Sequence, residues 1–350
     1  MSPVGEVEFR EVVQSLLKSA GIVGDFTLQP LQGGGNNRAY VVQAGRPYFL
    51  KHYFHDERDV RDRLGAEFAF AAFGWKHHIH QMPQPLAADY TNKVGLFEFI
   101  KGRPLGLADI NSKRVQEALN FFRTLNNYRD DPDAQKLPMA SDACLSMEDY
   151  FQLNRSRLGK LRDVAEVEKI DKEAMDFIRR ELIPAWEDLS LKLEERILGQ
   201  GYSLVEKFNP ADLSLSPSDF GFHNALIAGN GEVKFIDFEY AGWDDPVKMV
   251  CDFFSQHKVP VPMNFYAAFL SDVVSSAGNP LEQKARAPIT FILTRFKWCC
   301  LFLNVFLPVN YERRKFAENN SHEIIDKSRQ LEQARESLAA IQQLRSDWGY

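Results

Sequence analysis

Two neighbouring runs carry the reading: Ser216-Pro217-Ser218-Asp219-Phe220-Gly221-Phe222-His223-Asn224-Ala225-Leu226-Ile227, then Val233-Lys234-Phe235-Ile236-Asp237-Phe238-Glu239. Apolar Ala225-Leu226-Ile227 reads as a short buried strand. Gly229-Asn230-Gly231 reads as a tight turn, and Val233 to Ile236 as the returning strand. Such a hairpin places an irregular polar loop near the end of its second strand, where Asp237 stands. Asp219, Asn224 and Asp237 are then expected to face one cleft. Hard oxygen ligands of this kind suit a divalent cation beside phosphates, and a carboxylate suits the proton of an attacking hydroxyl. The spacing Asp-x-x-x-x-Asn is weak alone, since about one is expected by chance in a chain this long. The order of loop, hairpin and Ile-Asp-Phe-Glu carries the signal. Caps and turns are the structural alternative for the three polar residues.

Upstream, Glu6 to Ala20 has the apolar spacing of an amphipathic helix. Phe26 to Leu31 and Ala39 to Ala44 read as strands around Gly33-Gly34-Gly35-Asn36-Asn37. Glycines there let backbone N–H groups approach phosphates, although a plain hairpin turn has the same composition. Tyr48 to Tyr53, after the Arg46-Pro47 turn, is a third strand carrying Lys51. Asp59 to Phe73 looks helical and carries Glu67, sixteen residues after Lys51 and placed to pair with it; Glu57 precedes the helix and competes weakly. Pro83 and Pro85 break the chain before a strand over Gly95 to Ile100. Gly102-Arg103-Pro104 reads as a hinge-like linker.

Beyond the linker the pattern is mostly helical, over 111–127, 163–182, 188–198, 265–274, 288–307 and 321–344. The chain has 350 residues, enough for two domains or lobes. Its 45% apolar and 26% charged content is that of a globular protein. A net charge of −6 argues against a nucleic-acid partner. The first 101 residues hold 11 basic and 11 acidic residues, so the acidity lies in the remainder, with 31 against 37. The four cysteines form no C-x-x-C pair and read as buried thiols of a reducing compartment. No secretory signal is visible in Met1 to Arg10. Ile289 to Leu307 is apolar but contains Arg295 and Lys297, which favours a buried core helix over a membrane span. The expected location is the cytoplasm, with no membrane partner; the oligomeric state is not legible.

The 216–239 segment resembles the aminoglycoside phosphotransferase and choline kinase superfamily, whose fold is similar to that of protein kinases. That superfamily writes His-Gly-Asp, four residues, Asn, a strand pair, Ile-Asp-aromatic-acid and Gly-x-x-Asp-Pro. This chain has Asp219, Asn224, Asp237, Glu239, Gly242, Asp245 and Pro246 in those places. The resemblance spans about Phe26 to Phe254. It implies an α+β, two-lobed fold, with a small β-rich nucleotide-binding lobe over 1–101 and a larger, mostly helical catalytic and substrate lobe over 102–350. It implies a small-molecule kinase that uses ATP and Mg²⁺. Asp219 would be the base, with Asn224 and Asp237 holding Mg²⁺. Phosphates would lie under Gly33, Gly34, Gly35 and Asn36, beside Lys51 held by Glu67. Adenine would meet the backbone at Glu98, Phe99 and Ile100. The acceptor would be an amino alcohol, a sugar or an aminoglycoside-like hydroxyl compound.

Three departures stand out. Pro217-Ser218 replaces the His-Gly before the base, which motivates a second reading as a nucleotide-binding pseudokinase with a regulatory role. Asp252 follows Pro246 by six residues rather than a few. Asn36-Asn37-Arg38 closes the glycine loop. A protein kinase fits less well, because no Asp-Phe-Gly follows the hairpin and no Ala-Pro-Glu is present. His77, His78 and His80 have no fourth ligand at a metal spacing and read as a solvated helix end. His223, Tyr240 and Trp243 either touch substrate or pack. A buried Arg295 or Lys297 requires a partner, either structural or substrate-borne. The charged run from Glu312 to Gln343 reads as a solvated helical face.

Overall fold

The computed structural model describes residues 3–31, 37–56, 61–308 and 326–348. It is an α+β protein whose contacts divide it into two compact units. Of the described residues, one unit contains those up to Ser141 with Phe222–Gly242, and the other Asp142–Gly221 with 243–308 and 326–348.

The first unit opens with α1 (Pro3–Ser19), then β1 (Thr27–Leu31), β2 (Arg38–Ala44), β3 (Arg46–His52), α2 (Arg63–Lys76), β4 (Pro85–Asp89) and β5 (Val94–Glu98). The five strands form one antiparallel sheet in the order β1-β2-β3-β5-β4. Phe9, Val13, Leu16 and Leu17 of α1 pack on Tyr40, Val42, Leu50 and Leu96. This is the apolar helix stripe meeting one face of alternating strands. The unit closes with β6 (Gly102–Pro104), α3 (Ser112–Asn126) and the hairpin β8 (Ala225–Ala228) and β9 (Val233–Phe235). The lobe boundary drawn from sequence falls after residue 101. The contacts carry residues 102–141 and 222–242 with the first unit, because β6 pairs with β8 and Phe121 of α3 packs on Phe235 of β9.

Several sequence readings shift. The turn before β3 is at Gly45, with φ 70°, and Arg46-Pro47 already belong to the strand. Pro85, read as a breaker, opens the edge strand β4, where a missing N–H costs no ladder bond. Gly102–Pro104 is a strand rather than a linker. A Cβ at Gly102 would stand 2.7 Å from the Ile227 carbonyl oxygen, so only glycine allows that approach. Helix α2 begins at Arg63, where Asp62 Oδ1 accepts from Gly65 N at 3.2 Å, later than the Asp59 expected.

The second unit contains α4 (Met147–Lys160), α5 (Lys169–Phe177), a π-turn (Ile178–Leu182), α6 (Ile183–Gly199), β7 (Ser214–Ser216), β10 (Gly242–Asp244, entering from the first unit), α7 (Pro246–Ser255), α8 (Tyr266–Val273), α9 (Pro280–Leu303) and α10 (Lys327–Trp348). Helix α9 starts well before the expected Pro288. Asn279 caps it and Pro280 takes a first-turn position, while Pro288 is carried inside. Its segment Pro280–Phe306 is long and apolar enough to cross a membrane. Yet 78% of its most apolar window is buried in the protein, where Phe296 packs on Trp186 and Trp186 on Phe151. It is the core helix expected from its two cations. All four cysteines are buried free thiols.

Buried ion pairs brace this unit. Arg286 Nη2 donates to Asp245 Oδ1 at 2.6 Å, and the Tyr150 hydroxyl donates to Asp245 Oδ2 at 2.5 Å. Asp245 Oδ1 also caps α7 through Val247 N at 2.9 Å. Lys248 Nζ meets Asp244 Oδ2 at 2.5 Å, and Lys297 pairs with Asp252. Removing one partner strands the other charge in the core. Arg286→Met should therefore cost about 3–5 kcal/mol in urea unfolding. The double variant Arg286→Met, Asp245→Asn should cost less than the two single losses combined.

In the first unit, His52 on β3 stacks on Phe9, with ring centroids 5.3 Å apart. Burial and the nearby Arg38 charge lower its pKa to about 4. Its neutral form is favoured on folding, so its stabilising contribution is complete above the unfolded value near 6.5. That contribution is lost as pH falls toward about 4. Stability should fall by up to about 1.4 kcal/mol per pH unit in that window. His52→Gln should flatten this slope in denaturation curves taken from pH 7 to pH 4.

Candidate active site

Strand β3 delivers Lys51 to the interior, opposite Ala39 on one side and Gly95 on the other, both small residues. Its Nζ lies 2.7 Å from Glu67 Oε2 on α2 and 2.5 Å from Asp237 Oδ1. Glu239 Oε2 is 3.4 Å away. Glu67 is held from other sides as well. The Tyr53 hydroxyl donates to its Oε2 at 2.7 Å, and the Phe238 N–H donates to its Oε1 at 3.1 Å. The pairing expected between Lys51 and Glu67 is present, and it reaches Asp237 too.

Asp237 follows β9 with φ 68°, in the left-handed region a carboxylate side chain tolerates better than most. That turn directs successive side chains to different neighbours. Phe238 enters the core against Phe70 and Phe121. Glu239 is 1% exposed and accepts from Asn37 Nδ2 at 2.5 Å. The other end of the Asn37 amide accepts from Phe54 N at 3.0 Å. Asn37 thus ties the residue after the glycine run to the metal-type strand end. The sequence reading placed Asn37 in the glycine loop but missed its bond to Glu239, and it missed Tyr53 as a partner of Glu67.

The charges of this group are linked. Burial works against the Lys51 ammonium, yet Asp237, Glu67 and Glu239 outweigh it and hold its pKa well above the ordinary range. Burial raises Asp237, Lys51 opposes the rise, and Glu239 and Glu67 add to it, leaving the carboxyl above its ordinary range. Glu239 resists burial because of Lys51 and Arg63, with help from Tyr240 and Asn37, and stays below its usual range. Three carboxylates around one ammonium leave excess negative charge, so the group fits a hard cation. Oxygens of Glu67, Asp237 and Glu239 lie within 4.8 Å of one another. Glu67 and Glu239 are enclosed by their partners, whereas 41% of the Asp237 side chain is accessible. Asp237 is therefore the carboxylate best placed to take Mg²⁺.

The other expected residues fall as follows. Asn224 ends a short 3-10 turn (Phe222–Asn224), and its carbonyl accepts from Ile236 N at 2.9 Å, beside Asp237 in the chain. Glu98 ends β5, and its N–H donates to the Gln84 carbonyl at 2.8 Å, which withdraws that donor from adenine. Phe99 and Ile100 leave the sheet half-buried, and their N–H groups make no hydrogen bond among the described residues. Gly33, Gly34, Gly35 and Asn36, as well as Glu57, lie outside the described residues. Asp219 belongs to the second unit and is half-buried in the loop after β7. Ser218 before it has φ 62° and donates its N–H to Ser216 Oγ at 3.1 Å. His77 stacks on Tyr128 and His80 on Trp75. Tyr240 lies under Arg61 and Arg63.

A family model described as the phosphotransferase enzyme family matches residues 27–287. No curated protein matches in sequence. Among solved structures, a choline kinase from Cryptosporidium parvum is 14% identical with a TM-score of 0.58, covering 97% of this chain and 96% of that one. A spectinomycin phosphotransferase, solved with ADP and spectinomycin, is 14% identical with a TM-score of 0.61, over 95% and 98% of the two chains. The choline kinase from Streptococcus pneumoniae is 13% identical with a TM-score of 0.58, over 95% and 99%. These likenesses place the fold among protein-kinase-like phosphotransferases.

The Lys51 group yields a test of its own. Lys51→Met should destabilise the protein by about 3–5 kcal/mol, since enclosed Glu67 and Glu239 lose their counter-charge. Adding Glu67→Met should return part of that loss in the same urea titration.

Proposed function

The chain belongs to the phosphotransferase enzyme family, and we propose that it transfers the γ-phosphate of ATP to a hydroxyl of a small acceptor. The observation that carries this reading is Lys51, held by Glu67 at 2.7 Å and by Asp237 at 2.5 Å in one enclosed group. A lysine fixed in this way presents a point charge to phosphate oxygens without having to be ordered at the moment of reaction. The glycine run 33–35 and Asn36 would cover the phosphates. The Phe99 and Ile100 N–H groups would receive adenine. Mg²⁺ on Asp237 and Asn224 would neutralise charge between the phosphates.

Asp219 is assigned as the base. It would accept the proton of the attacking hydroxyl as the phosphoryl group leaves ATP. Little covalent work falls to the protein, and positioning with charge neutralisation does the rest. The acceptor class we propose is an amino alcohol, a sugar or an aminoglycoside-like compound. The choline kinases and the spectinomycin phosphotransferase named above are consistent with that range. We place the enzyme in the cytoplasm, where ATP is abundant.

Pro217-Ser218, in place of His-Gly, is the ground for the pseudokinase alternative. Ser218 argues against it. Its φ of 62° lies in the left-handed region that glycine favours, so the loop keeps a glycine-type turn despite the substitution. Pro217, with φ restricted by its ring, stiffens the residue before it in the chain.

A γ-phosphate transfer assay over alcohols, sugars, amino alcohols and aminoglycosides tests the reading. Asp219→Asn should lower kcat by about 100-fold or more. Asp237→Ala should abolish Mg²⁺-dependent turnover. If either variant turned over like the parent, its assigned role would be wrong. ATP that stabilises the protein but is never consumed with any acceptor would favour the pseudokinase.

A further inference from the structure

Among the described residues, the helical unit holds a guanidinium, Arg295, with no carboxylate paired to it. Three enclosed cations of this unit face a carboxylate: Lys248 on Asp244, Arg286 on Asp245 and Lys297 on Asp252. Arg295, half-buried on α9, does not. Among the described residues it donates from Nη2 to the Phe254 carbonyl at 3.3 Å and lies over the Phe291 ring at 5.1 Å. Its Nε is buried and makes no hydrogen bond. Burial lowers its pKa, with no carboxylate acting to hold the charge.

Two further groups on these two helices lack a hydrogen-bond partner among the described residues. Trp298 lies one turn further along α9, on the same face, and its Nε1–H is buried without an acceptor. Ser255, 3% exposed, ends α7 immediately after Phe254, and its Oγ is buried without a partner. The ring of His257, two residues on, is 5.2 Å from that of Trp298, which ties the end of α7 to this stretch of α9. Asp252, three residues before Ser255, is committed to Lys297. A guanidinium and an indole N–H can only donate, and a serine hydroxyl can donate too. Enclosed donors left unmatched among the described residues call for an acceptor beyond those residues, and a ligand oxyanion has the chemistry to supply it.

The place is next to the loop of the assigned base. Phe220 follows Asp219 directly and stacks on Phe253 at 5.2 Å, and Phe253 precedes the Phe254 that Arg295 touches. We propose that Arg295, Trp298 and Ser255 form an oxyanion-binding end of the acceptor site, so that the acceptor is a hydroxyl compound that also carries a carboxylate or phosphate. This rests on the phosphotransferase reading and narrows it. A net charge of −6 by itself would draw cations, whereas donors at this place would meet an anion.

The test compares matched acceptors: galacturonate with galactose, glycerol 3-phosphate with glycerol, and choline as the cation. Acceptor-dependent ADP release gives kcat/KM for each. The acid-bearing member should exceed its neutral counterpart by about 10-fold or more. Arg295→Gln should lower that ratio by about 10- to 100-fold, Arg295→Lys should restore part of it, and Trp298→Phe should lower it less. Circular dichroism melting without ligand confirms that each variant folds, and Ser255→Ala stands in where an Arg295 variant does not. A ratio at or below one in the parent protein, or a ratio unchanged by the variants, overturns the proposal. If no acceptor is turned over, thermal stabilisation by galacturonate or glycerol 3-phosphate decides. A shift present in the parent and lost in Arg295→Gln supports the site, and no shift overturns it. Turnover of choline or galactose alone sinks the oxyanion proposal but leaves the kinase reading intact. That reading fails separately, on unchanged turnover of Asp237→Ala.

Discussion

The buried ion group of the first unit is arranged around one ammonium. Lys51 is enclosed, and enclosure of a lone cation is costly; the three carboxylates that meet it come from α2 and from the turn after β9. Those elements are far apart in sequence, so the ion group fixes their mutual position more narrowly than apolar packing alone would. Phe238 shows the coupling directly. Its ring packs in the core while its N–H holds Glu67, so core packing and site geometry are set by the same residue.

The surplus of negative charge follows from the same arrangement. A group with equal charges would be stable and inert. Here one carboxylate, Asp237, is left more accessible than the other two, at the end of a strand with a left-handed backbone conformation. Strain and unfavourable charge kept at one place are characteristic of sites whose ligand completes them. On the function proposed above, Asp237 would hold Mg²⁺ and Lys51 would neutralise nucleotide phosphates.

Much of this was legible. The hairpin over 225–235, Lys51 on a strand and Glu67 on a helix are local patterns, and the sixteen-residue spacing of the pair is set by one strand, one loop and one helix. Other parts were not. β4 was obscured because proline is a breaker everywhere except at edges, and β6 because three exposed residues carry no alternating pattern. The Asn37–Glu239 bond joins residues 202 apart, and nothing in either residue's own neighbourhood announces it. The glycine-type turn at Ser218 was hidden for the opposite reason: the residue type disagrees with the backbone it adopts.

Arg295 shows why composition misleads about ligands. A net charge of −6 describes the field far from the protein, where carboxylates on solvent-facing helices dominate and are screened. A ligand inside the helical unit meets instead the few groups left uncompensated after each buried pair has closed. Lys248, Arg286 and Lys297 are cancelled by Asp244, Asp245 and Asp252, so they contribute structure and almost no specificity. Arg295 is not cancelled, and its neighbours Trp298 and Ser255 leave polar atoms without partners. The residue that decides which molecule is chosen is thus the one whose electrostatics the fold leaves unfinished.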